Sequence, residues 1–194
     1  FIDYTNDRTR FMFNLGAGGA AMILKRDYEK NTVLETDIIT DGSFSEDVLV
    51  PVGGTKQPLS PEHLENGLYR LDVMDPEGMK ARLEQKSMDN FLKVVRNALL
   101  KSGYSDKDID YLAILHMKRS AHDYVLGELG LNTEQSIYLS DYGHVGQMDQ
   151  IISLELAEKS GKIKSGDIVV LVSAGIGYAW GAIVIKWGME GRNI

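Results

Sequence analysis

The chain has 194 residues, 43% of them apolar and 25% charged, with a formal net charge of −7. That is enough chain for a domain with its own core, and the negative balance argues against a general nucleic-acid binder, whose phosphate contacts need a basic face. With no cysteine present, disulfides, thiolate metal sites and a cysteine nucleophile within these residues are excluded.

Residues 10–15 (RFMFNL) and 20–24 (AAMIL) are apolar and read as strands, separated by Gly16, Gly18 and Gly19. A further extended stretch covers 32–40, and Asp41-Gly42-Ser43 follows as a turn signal. Residues 51–61 hold three of the four prolines, which marks a loop. Apolar residues at Leu83, Met88, Phe91, Leu92, Val95, Ala98 and Leu99 keep helical period, predicting a helix over 80–102 that Gly103 stops. After it come a buried strand at 109–115, a helix at 120–129, a short strand at 136–139, a helix at 146–160, and strands at 168–173 and 179–187.

Strands alternating with helices of this length predict a layered α/β sheet, and near-continuous apolar strands such as 168–172 predict cover on both faces. No linker interrupts the pattern, so residues 1–194 are expected to form one domain with an excursion at about 44–79. No apolar run reaches the roughly 20 residues that span a bilayer, and no basic-then-apolar leader is visible. No membrane is expected, and a reducing cytoplasm fits. A first residue of Phe1 reads as that of a fragment.

Four histidines are candidates for proton chemistry. His63 in a polar helix start and His122 beside Asp123 read as surface residues. His116 ends the strand at 109–115, and His144 lies in a glycine-flanked turn after the short strand at 136–139. Ligands collect at the carboxyl ends of strands in open α/β sheets, so His116 and His144 together read as an acid/base pair. No His/Cys/Asp spacing matches a zinc site, and no metal is expected. Small residues at 173–177, directly after a buried strand, let the backbone approach a ligand and donate an N–H to a developing oxyanion, although a plain β-turn needs them too. The glycines at 16, 18 and 19 read as close strand packing.

These pieces stand in an order that resembles the C-terminal half of the ketoacyl synthase III family, relatives of thiolases. Asp7-Arg8 followed by Gly16-Ala17-Gly18-Gly19-Ala20, then Asp41-Gly42-Ser43, Leu115-His116 and Tyr142-Gly143-His144 are similar to family motifs. So are the runs 162–167 and 175–182. The resemblance implies one half of the layered α/β/α/β/α thiolase fold, with a mixed five-stranded sheet. It implies a missing N-terminal half with a cysteine nucleophile, and a homodimer. Acyl-CoA or CoA would be substrate or product, with no permanently bound cofactor and with acyl carrier protein as a further partner. By that resemblance His116 and His144 assist condensation of a malonyl thioester with an acyl-enzyme, Gly175 supplies an oxyanion-hole N–H, and Arg8, Lys118 and Arg119 meet CoA or an acidic carrier. His144 stands where the family carries Asn; both side chains can donate one hydrogen bond, and His can also exchange a proton. A non-catalytic thioester-binding scaffold, an acyltransferase and a hydroxymethylglutaryl-CoA synthase-like enzyme are the alternatives.

Overall fold

The computed structural model describes residues 2–189. Its elements, in chain order, are β1 (Lys30–Thr40), β2 (Val48–Leu49), α1 (Pro61–Glu65), β3 (Asp72–Val73), α2 (Pro76–Lys101), β4 (Tyr111–Ile114), α3 (Arg119–Glu128), α4 (Asp149–Lys159), β5 (Ile168–Gly175) and β6 (Ala179–Met189). The main sheet has the order β1-β6-β5-β4, with β4 parallel to β5 and the other two pairs antiparallel. The short β2–β3 pair lies outside it, on the excursion.

The sheet is mixed, as expected, but has four strands among the described residues rather than five. The expected strands at 10–15, 20–24 and 136–139 are absent. Residues Asp7–Met12 form a 3-10 turn, and 20–24 and 136–139 join no ladder. Local apolarity is not enough for a strand, because backbone N–H and C=O groups need a neighbouring strand to pair with. At 20–24 no such neighbour is in place, and Ile23 and Leu24 stand 93% and 76% exposed.

Strand alternation sorts the core into two layers. Leu112, Ile114, Val170, Val172, Trp180, Ala182 and Val184 point to the face covered by α2 and α3. Tyr111, Ala113, Val169, Leu171 and Ile185 point to the other, against Leu154 and Ala157 of α4. The period-2 rule for strands explains the division. Helix α2 begins earlier than its apolar period suggested: Pro76 occupies its first turn, and Asp75 caps it by accepting the Gly78 N–H at 3.0 Å. Proline and a capping aspartate are a natural helix start, since the first N–H groups lack partners. Inside the interface, the Trp180 indole N–H donates to Ser87 Oγ at 3.3 Å. A third, smaller cluster under the excursion joins Met12, Val48, Val73 and Met79. No helix among the described residues is long and apolar enough to cross a membrane.

Candidate active site

The site forms where β4 and β5 end. The Leu115 N–H makes the last bond to the sheet, to the Val172 carbonyl at 3.2 Å, and the chain then departs with His116. His144 arrives from a tight turn in which the Gly143 N–H donates to the Leu139 carbonyl at 3.1 Å. Gly143 has φ +69°, and a Cβ there would lie 2.4 Å from the Asn14 carbonyl oxygen, so no larger residue fits. The early glycine segment closes on this turn. The His144 N–H donates to the Asn14 carbonyl at 3.0 Å, and the Gly16 N–H donates to the His144 carbonyl at 2.8 Å. A Cβ on Gly16 would lie 2.5 Å from the Tyr142 carbonyl oxygen. Gly16 thus serves close packing, against a turn rather than a strand.

Asp149, the first residue of α4, joins the two histidines. It is fully buried, and its Oδ2 accepts the His116 backbone N–H at 2.7 Å and lies 2.6 Å from His144 Nδ1. Its Oδ1 accepts the Val145 N–H at 2.7 Å. Burial pushes the carboxyl upward, but the bonds from His144 and the two backbone N–H groups outweigh it and hold the group below the usual carboxylate range. The amino end of a helix also favours a negative charge. Asp149 was not foreseen. An acidic residue opening a helix reads as an ordinary complement to the helix dipole; its spacing of five residues from His144 was the available signal.

The ring of His116 lies 4.8 Å from that of Tyr138, whose hydroxyl donates to the Met117 carbonyl at 3.1 Å. Burial holds the His116 imidazole below its ordinary range, and its Nδ1 is buried without a hydrogen-bond partner. His122, expected at the surface, is instead buried at 3% exposure, edge-on to the same tyrosine. It shares a helical face with Val125, Leu126 and Leu129, all buried, and that spacing places it inward. Burial lowers its pKa too. His63 lies in α1 on the excursion.

Gly175 ends β5. Gln147, between His144 and Asp149, holds the strand end beside the histidines: its Oε1 accepts the Ser173 hydroxyl, and its Nε2 donates to the Ala174 carbonyl at 3.3 Å. The same Nε2 would lie 3.6 Å from a Cβ on Gly175. Arg8 is ion-paired with Asp72, while Arg119 pairs with Asp123 on its own helix and lies over the Tyr138 ring at 5.1 Å. Lys118 is exposed at the start of α3. Among the described residues no group of three or more His, Cys, Asp or Glu is placed to hold a metal ion. An open trough of about 420 Å³, lined by Gln147, Gln150, Ser173, Ile38 and Ile183 among others, runs along the sheet.

The chain is similar to known proteins of one family. Residues 99–187 match the family model described as 3-Oxoacyl-[acyl-carrier-protein (ACP)] synthase III C terminal. A beta-ketoacyl-[acyl-carrier-protein] synthase III of Aliarcobacter butzleri is 29% identical over 188 residues, which cover 96% of this chain and 54% of the relative. Among solved structures, the synthase III of Thermus thermophilus superposes with a TM-score of 0.67 at 21% identity, covering 84% of this chain and 48% of the other. The enzyme of that name from Pseudomonas aeruginosa PAO1 gives 0.66 at 19% identity, covering 84% of this chain and 47% of that one. The chain spans about half the length of the curated relatives it matches.

Proposed function

We propose, from the premise that this chain corresponds to the C-terminal half of a ketoacyl synthase III-like condensing enzyme of thiolase fold, that it contributes two histidines and a main-chain amide to the condensation of acyl thioesters. The observation that carries the reading is the shared carboxylate. Asp149 Oδ2 binds the backbone of His116 and the ring of His144 at once, so two residues 28 positions apart are held at one point. Gln147, three residues after His144, bonds Ser173 and Ala174, next to Gly175 at the end of β5.

In this reading a cysteine on an N-terminal half carries the acyl group as a thioester. The unpartnered Nδ1 of His116 favours the tautomer with its proton on Nε2, because a buried N–H without an acceptor is rarely tolerated. His116 then donates from Nε2 to the thioester oxygen as negative charge develops there. A donor aimed at that oxygen is worth a factor of about 10² to 10³ in rate. The Gly175 N–H takes the equivalent place for the acyl-enzyme. Lys118 and Arg119 at the start of α3, with Arg8, would meet CoA phosphates or an acidic acyl carrier protein. Of these, Arg8 and Arg119 would first have to exchange their partners Asp72 and Asp123. A cytoplasmic homodimer is the expected assembly.

The test is His116→Ala in the protein that joins this chain to its N-terminal half, assayed with acetyl-CoA and a malonyl thioester. A fall in turnover of about 10² or more, with an unchanged circular dichroism spectrum, is expected. Undiminished turnover overturns the reading.

A further inference from the structure

We infer that Asp149 is a positioning residue that makes His144 the proton acceptor of this site, so that beside the condensation above the site serves an acyl acceptor that must lose a proton to attack. The inference rests on the thioester reading above and goes beyond it, since it assigns His144 a role opposite to that of a second oxyanion donor.

The reason is hydrogen-bond polarity. An ionised carboxylate only accepts. Asp149 is held below the carboxylate range and faces His144 Nδ1 at 2.6 Å, so Nδ1 carries the proton. A neutral imidazole has one N–H, and with it committed to Asp149 the Nε2 of His144 presents a bare lone pair. An asparagine at this position would present an N–H instead. His144 is therefore not a donor-for-donor replacement. The other ring makes the contrast, because His116 is suited to donate from Nε2. One ring suited to donate, its backbone held by Asp149, and one ring suited to accept, bonded to Asp149 itself, suit a reaction that moves a proton.

The groups that face His144 are few. Asp149 comes from α4 and His116 from the end of β4. Asn14 and Gly16, which clamp its backbone, are uncharged, as is Gln147. Asp141 and Tyr142 precede it in its own turn. Asp149 is the only carboxylate bonded to the ring among the described residues.

The step balances without any redox partner. Nε2 of His144 takes the proton of the acceptor's O–H or N–H while the freed electron pair forms the bond to the acyl carbon. The carbonyl π pair moves to oxygen and is held by the His116 Nε2–H. Collapse re-forms the carbonyl and breaks the C–S bond, and the departing thiolate receives the proton from His144. An ester or amide and a free thiol result. A decarboxylating malonyl extender needs no such base, because loss of CO₂ itself leaves the electron pair on carbon. The base therefore equips the site for a hydroxyl- or amine-bearing acceptor in addition to the malonyl thioester, with water as its simplest stand-in.

Long-range ¹H–¹⁵N NMR of the histidine-labelled chain reads the tautomer directly and needs neither substrate nor variant. We expect neutral His144 with its proton on Nδ1, and in Asp149→Asn a shift of the population toward Nε2–H. In the protein with its N-terminal half, hydrolysis of octanoyl-CoA should lose kcat as pH falls through the NMR midpoint of His144. Asp149→Asn should move that limb with the midpoint and leave KM within about twofold, whereas a merely structural role for Asp149 would not move the pH profile. A neutral wild-type His144 with its proton on Nε2, or a kcat profile that ignores the midpoint, overturns the inference. Failure of His116→Ala to affect turnover would sink the thioester reading alone, since the tautomer is measured without substrate.

Discussion

Along β6, Trp180, Ala182 and Val184 lie on the face of the sheet under α2, and all three are buried. On the opposite face of the same strand, Ile183 is 37% exposed, and Ile38 beside it on β1 is 68% exposed. Both faces carry apolar residues at alternate positions, yet on the second face the cover by α4 takes in Val169, Leu171 and, on β6, Ile185, and leaves Ile183 and Ile38 open. A strand that is apolar on both sides belongs to a sheet buried on both sides. The open stretch around Ile38 and Ile183 thus has the composition of a surface made for burial.

The largest expected effect separates the two faces directly. Trp180→Ala should cost about 3–5 kcal/mol in urea denaturation, as for large buried aromatics, and Ile183→Ala less than about 1 kcal/mol. Equal costs would break the comparison. A sharper form uses Ile38→Asp. In the chain by itself its effect should stay within about 0.5 kcal/mol, as at ordinary surface positions. With the N-terminal half attached it should cost about 2 kcal/mol or more, because the new charge is buried without a partner. The smallest effect concerns pH, and it acts on the covered face. His122 is held below its ordinary pKa by burial, so the folded state prefers it neutral while the unfolded chain takes a proton near pH 6.5. Its stabilising contribution is present above that pH and is lost as pH falls toward the native pKa. Thermal melts should show this decline, by at most about 1.4 kcal/mol per pH unit, and His122→Gln should flatten it. His116 acts in the same direction.

Where a segment's partners lie within the chain, its pattern was enough to place it. Strands β4, β5 and β6, and helices α3 and α4, fall within a few residues of the stretches their periodicity marks. So do the two histidines, because strand ends and glycine turns are written locally. Segments 10–15 and 20–24 have the composition of strands and are not strands, since a ladder needs a second edge that local sequence does not supply. Asp149 was hidden for a related reason. Its importance lies in what reaches it from residues 116, 144 and 145, and no local pattern records those contacts.

The clamp of Asn14 and Gly16 on His144 also bears on how the molecule is made. The two sides of that clamp emerge from the ribosome far apart in time. At the usual pace of about 5–20 residues per second, the glycine segment waits on the order of ten seconds for its turn to be translated. Until then its backbone is open to proteases and chaperones. That corner of the candidate site therefore cannot settle before the turn at His144 has been made.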